Sequence, residues 1–289
     1  MEKELLWIGI PHDNGMIGKW TNEYQCNIEE ASINIRVERV LAEKLIRITS
    51  THECDLVDVL LSVLRFENLF EGRFYLTSKI EIDGQEKNEI CKVFLPFYKS
   101  DVQWMMFQNF TMNKNVEQLF TTWLEVDKKL GIIHNMFLYA AYARDLTNDV
   151  KLALILQTFE PLSKDLQECG KLSIEPYNHK NVKDKRIIFG DRVYAIINKY
   201  GQDIFSEDDV QKVHSQAVEL RDKVVHLDRS ITTEMKGEQA GYYIKKFIWL
   251  YTVLVMTEIG IPYEEIEKDI MRNVERYQNT FPDLYIGRS

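Results

Sequence analysis

The chain has 289 residues, a formal net charge of -9, 45% hydrophobic residues and 28% charged residues. That length carries a sizeable core in one large domain or two ordinary ones. The acidic balance excludes a protein that coats nucleic acid through bulk positive charge, and leaves room for an enzyme that meets RNA at a small basic cleft.

The first 110 residues mix helix and strand signals. "MEKELLWIGIPHDNG" lacks a basic leader and a small-residue cleavage site, so it does not read as a signal peptide. "SINIRVERV" (32–40) alternates polar and apolar residues and predicts a half-buried strand. "CDLVDVLLSVLRFENLF" (54–70) has helical spacing at Leu56, Val59, Leu60, Val63 and Leu64. "RFYLTSKIEIDGQEKNEICKVFLPF" (73–97) predicts two strands turning at Asp83-Gly84.

Strand signals nearly vanish after residue 110. "NVEQLFTTWLEVDKKLG" (115–131) predicts a helix closed by Gly131, and "IIHNMFLYAAYAR" follows it. "TNDVKLALILQTFEPLSKDLQ" (147–167) predicts a helix capped by Thr147 or Asn148, with Leu152, Ile155, Leu156 and Phe159 on one face and a bend or end at Pro161. A polar loop (169–186) leads to the helix "IIFGDRVYAIINKYG", ended by Gly201. "SEDDVQKVHSQAVELRDKVVHLD" (206–228) starts with Ser206 as cap and acids in its first turn, and carries a stripe of Val210, Val213, Ala217, Leu220 and Val224. The long apolar helix after it includes Lys245, Lys246 and Glu258; its uncharged part, Phe247 to Thr257, is too short to span a bilayer. "YEEIEKDIMRNVERYQ" is an amphipathic tail helix. The expected fold class is α+β: a small N-terminal α/β region (1–110), then an all-α bundle (111–289).

Cys26, Cys54, Cys91 and Cys169 form no C-x-x-C pair, which suits reduced, buried thiols and a cytoplasmic location. No Cys/His cluster has zinc spacing, so neither a metal nor another cofactor is expected. Phosphate-loop, G-x-S-x-G and H-E-x-x-H motifs are absent. His134 reads as a core histidine and His12 as a turn residue.

One short pattern remains, an arginine followed by four residues and a histidine. It occurs twice, as "RITSTH" (47–52) and "RDKVVH" (221–226). About one match to the looser R-x(4–6)-H is expected by chance in a chain with this many arginines and histidines. The first copy lies in a Thr/Ser-rich element boundary and has no long helix around it. The second ends a capped amphipathic helix. There Asp222 and His226 share a face, so the carboxylate is placed to orient the imidazole. Arg221 and His226 lie about 140° apart on an ideal helix. They meet only where the helix unwinds near His226, or where another chain completes the site. The competing reading is an ordinary helix end, with His226 opposing the helix dipole and Arg221 paired to Glu219 or Asp228.

The region from about residue 115 to 260 resembles the HEPN domain of ApeA-like bacterial anti-phage proteins. "VEQLFTTWLEV", "LALILQTFEPL" and "ELRDKVVHLDR" with the apolar helix beyond it carry the likeness. Arg221, Asp222 and His226 fill the family's R-x(4–6)-H signature, with its polar residue directly after the arginine. The resemblance implies a metal-independent endoribonuclease that works as a homodimer with a composite site, in abortive infection or as a toxin released by a phage-derived trigger. Histidine as a residue type suits base or acid work, and arginine suits bidentate contact with phosphate. Lys223, Arg229 and Lys236 are candidates for added charge toward the RNA backbone. The loop residues His179, Lys180, Lys183, Lys185 and Arg186 are candidates for a basic lip, against ordinary solvated charge as the alternative. Tyr242 and Tyr243 suit core packing better than base stacking. Two other readings stay open: a non-catalytic HEPN-fold module that binds nucleotide, RNA or protein, and a plain helical interaction protein.

Overall fold

The computed structural model describes residues 3–11, 20–28, 30–40, 43–71, 75–87, 89, 116–143, 145–177, 186–227, 230, 235 and 237–280. Two compact units emerge: Met1–Lys129 with Tyr142–Arg144, and Leu130–Ala141 with Asp145–Ser289. The boundary expected near residue 110 falls outside the described residues.

Alternating side chains build the first unit. Its elements are β1 (Lys3–Pro11), β2 (Trp20–Ile28), β3 (Ala31–Val40), β4 (Glu43–Ser50), α1 (Leu56–Glu71), β5 (Tyr75–Ile82) and β6 (Gln85–Glu86). The strands form an antiparallel sheet in the order β2-β3-β4-β1-β5-β6. Period-two alternation turns one face inward, and Leu5, Trp7, Ile33, Ile35, Val37, Ile46, Ile48 and Ile80 are all fully buried on it. Trp7 sits opposite both Ile46 and Ile80, and its Nε1 donates to Thr77 Oγ1 at 3.0 Å.

Helix α1 packs on β1 and β4 through the expected stripe of Leu56, Val59, Leu60 and Val63; Leu64 is half-buried, and Phe66 extends the stripe. Asp83 (φ 51°) and Gly84 (φ 73°) are both left-handed, as a two-residue hairpin turn requires. The hairpin expected there forms, with Ile82 opposite Gln85. Most of its expected second strand lies outside the described residues.

Helix α2 (Val116–Tyr142) supplies its first half to this unit. Trp123 Nε1 donates to the Ser62 carbonyl at 3.0 Å, and Asp127 accepts from Ser62 and Arg65 of α1. Gly131 breaks the helical geometry within α2 (φ 39°, ψ -113°), where the closing cap was expected.

The second unit contains α3 (Asn148–Glu168), α4 (Phe189–Tyr200), α5 (Glu207–Lys212), a π-helical turn (Val213–Ala217), α6 (Val218–Val225), α7 (Gly237–Glu258) and α8 (Tyr263–Thr280). The observed class is therefore α+β, an N-terminal antiparallel sheet followed by a helical region. Helix α7 is the core, with Phe247, Leu250, Tyr251, Val253, Val255 and Met256 fully buried. Each such side chain contributes roughly 1.5–3 kcal/mol on burial. Phe159 of α3 meets Phe247 edge-on at 5.4 Å, and Phe137 of α2 stacks on Tyr251 at 3.6 Å. His134, fully buried, is bonded through Nδ1 to the Tyr251 hydroxyl at 2.7 Å, as a core histidine. Among the described residues no helix is long and apolar enough to cross a membrane.

Two details of this unit matter for the site. Helix α3 continues through Pro161 to Glu168, so the proline does not end it. A mid-helix proline costs about 3 kcal/mol, and the continued burial of Leu162 and Leu166 beyond it offsets that cost. Ser206 caps α5 as expected: its Oγ accepts from Asp209 N, while Asp209 Oδ2 accepts from Ser206 N at 3.0 Å. Asp209 also receives Lys246 at 2.7 Å and the Tyr242 hydroxyl at 3.1 Å. Burial pushes its carboxyl up, but Lys246 and Ser206 outweigh burial and hold it below the ordinary aspartate value.

Candidate active site

The π-helical turn decides which side chains face the core. An uninterrupted α-helix from Val210 puts Val224 at the centre of the apolar stripe and Arg221 at its edge. A π turn takes up one extra residue, so everything beyond it is rotated by about one residue's worth, 100°. The buried set becomes Val213, Ala217, Val218, Leu220 and Arg221, while Val210 and Val224 are only half-buried. The rotation thus carries a charged residue inward: the Arg221 side chain is only 5% exposed.

A buried guanidinium needs acceptors for its donors and a partner for its charge. Glu160 of α3 supplies one, with Oε2 at 2.5 Å from Arg221 Nη2. Asp222 supplies another, with Oδ1 at 2.6 Å from Nη1. Phe189, the first residue of α4, lays its ring under the guanidinium at 4.2 Å. Arg221 Nε is buried without a hydrogen-bond partner among the described residues. Glu160 is fixed from its other side by Lys164, 2.9 Å from Oε1. Burial works to raise the Glu160 carboxyl, but Lys164 and Arg221 outweigh it and keep the group below the ordinary glutamate value.

Helix α6 ends at Val225. His226 is its C-terminal cap (φ -96°, ψ 1°), donating its amide to the Asp222 carbonyl at 3.0 Å. Leu227 then takes a left-handed φ of 51°, a conformation that glycine fills without cost and leucine does not, and is 82% exposed. The His226 imidazole lies over Arg221, with Nη1 3.3 Å from His226 Nε2. The two side chains therefore meet inside one chain despite the 140° separation. Arginine only donates, so a hydrogen bond at this contact has Nε2 as its acceptor. The His226 side chain is 61% exposed.

Asp222 stands 3.9 Å from His226 Nε2, beyond hydrogen-bond reach. It bonds Arg221 rather than the imidazole it was expected to orient. Lys223 is half-buried on α6 and Arg186 is exposed just ahead of α4. Lys185, Arg229, Lys236, His179, Lys180 and Lys183 lie outside the described residues. Tyr242 and Tyr243 are core residues, 5% and 1% exposed. Glu160 is the partner that sequence reasoning missed. Its signal was faint: it is the lone charge in "LALILQTFEPL". Among the described residues no group of three His, Cys, Asp or Glu side chains is placed to hold a metal ion.

Residues 141–265 match the family model described as Apea-like HEPN, a segment that contains α3 to α7 and the whole of Arg221 to His226. No curated protein and no solved structure matches the chain. The helical arrangement and this match agree: over residues 141–265 the chain is similar to an Apea-like HEPN domain.

Proposed function

We propose that the protein is a metal-independent endoribonuclease of anti-phage defence. The observation that carries this reading is an exposed imidazole whose Nε2 is touched, at 3.3 Å, by an arginine anchored in the core. Once released from Arg221 by the incoming phosphate, an unprotonated Nε2 is the atom suited to take the proton from an RNA 2′-OH. The freed oxygen attacks the adjacent phosphorus, the bond to the 5′ oxygen breaks, and that oxygen takes a proton from an acid. The products are a 2′,3′-cyclic phosphate and a 5′-hydroxyl.

One imidazole cannot be base and acid in the same instant. The second imidazole is that of a second copy, in a homodimer with a composite site. Arg221 supplies positive charge at the phosphate. A phosphate oxygen that replaces the half-exposed Asp222 on Nη1 keeps that charge compensated. Lys223, Arg186, Lys185 and Arg229 are proposed as RNA-backbone contacts. The cytoplasm, and release of activity by a phage-derived trigger, complete the proposal.

A second reading has its own observation. Arg221 is buried between two carboxylates, as a purely structural arginine would be, which favours a non-catalytic binding module. Cleavage of RNA by the purified full chain in EDTA separates the two. Wild-type cleavage that falls about 100- to 10,000-fold in both Arg221→Ala and His226→Ala supports the ribonuclease, following the usual weight of acid-base groups. Cleavage unchanged in both variants rejects "RDKVVH" as its site.

A further inference from the structure

We infer that Glu160 is the positioning residue of this site, acting on His226 through Arg221. The inference rests on the reading of His226 as the group that moves the proton.

An arginine side chain carries about 2 kcal/mol of rotamer entropy, so something must hold its fork in place before Nη1 can define the position of an imidazole. Three contacts do so, and they differ in kind. Phe189 restrains the face of the guanidinium but leaves it free to turn in its own plane. Asp222 grips Nη1, the same nitrogen that meets His226, and is itself 39% exposed on the same helix end. Among the described residues, only Glu160 grips the far nitrogen, Nη2, from a different helix. It is the less exposed carboxylate, at 28%, and its second oxygen is occupied by Lys164 one turn along α3.

The chain of force therefore runs Lys164, Glu160, Arg221, His226. The continuation of α3 through Pro161 keeps Glu160 and Lys164 paired at i and i+4. Glu160 touches no atom of a substrate in this scheme. Its effect is on which ring nitrogen of His226 carries the proton, and on where the ring sits.

The test uses the full chain as wild type, Glu160→Gln, Arg221→Ala and the double variant. Ring ¹⁵N signals of His226, assigned by their loss in His226→Ala, report the protonated nitrogen. The signals in Glu160→Gln move toward those of Arg221→Ala, and the double variant matches Arg221→Ala alone. Cleavage by Glu160→Gln shows kcat about tenfold lower with KM within about twofold, the pattern of a lost positioning contact. If Glu160→Gln does not fold, Glu160→Asp, which keeps the charge and withdraws it by one methylene, carries the same comparison. Unchanged His226 signals in a folded Glu160 variant, or a double variant that departs further than Arg221→Ala, overturn the inference. A wild type that cleaves no RNA rejects the ribonuclease alone, because the ring signals still decide whether Glu160 sets the imidazole.

Discussion

Arg47 and Arg221 each stand five positions ahead of a histidine, in the two different units of the chain. Arg47 lies on β4 between Ile46 and Ile48, whose side chains go to the buried face, so its own goes out; it is half-exposed and pairs with Glu4 on β1. His52 lies past the strand and bonds its neighbour Thr51 at 2.9 Å, and no hydrogen bond joins it to Arg47 among the described residues. Arg221 lies on a helix, sunk against α3 and α4, with His226 folded back onto it. A strand rises about 3.3 Å per residue and a helix about 1.5 Å, so one spacing separates the first pair and joins the second. A motif of this length has meaning only together with the secondary structure that carries it.

The contrast is broken most severely through catalysis. Arg47→Ala and His52→Ala are expected to keep RNA cleavage within about twofold of wild type, beside losses of 100-fold or more for the Arg221 and His226 variants. Equal losses in both pairs would erase the distinction drawn here. Stability sharpens it next. Removing Arg221 strips Glu160 and Asp222 of a buried partner, so Arg221→Ala is expected to cost the helical unit about 1–3 kcal/mol. Arg47→Ala, which breaks a solvent-exposed pair, is expected to cost the sheet unit less than about 0.5 kcal/mol. Native-state hydrogen exchange reads the two units separately and checks both figures.

Acid gives the smallest contrast. Asp209 in the helical unit has its carboxyl held below the ordinary 3.8. A group whose folded value is depressed contributes stability above its unfolded value and loses it as pH falls through the folded one. Protection of the helical unit is therefore expected to decline below about pH 4, and less so in Asp209→Asn, whose side chain does not titrate. An identical acid response in that variant would remove Asp209 from the account.

What the sequence disclosed was what local periodicity can express. The alternation of residues 32–40, the left-handed Asp83-Gly84 turn, the Ser206 cap and the apolar run of α7 each depend on neighbours within a few residues. Strand β1 escaped because a central strand reads as a plain apolar run, and β2 because "WTNEYQCNI" is too polar to alternate clearly. At the site, Arg221, Asp222 and His226 were legible as a spacing. Their arrangement was not, for two reasons. The π turn changes the phase of the helix without any glycine or proline to mark it. Glu160 lies 61 residues before Arg221, a pairing that only the packing of α3 on α6 creates.

That π turn also has a bearing on how this helix can change length. Because Val213–Ala217 already accommodates one residue more than an α-helix needs, losing that residue would relax the turn to ordinary geometry and leave Arg221 on the same face. Chains that differ by a single insertion or deletion between the Ser206 cap and the arginine can therefore aim that arginine identically. Within this stretch the number of residues can change by that one while the angle at which the motif meets its partners is kept.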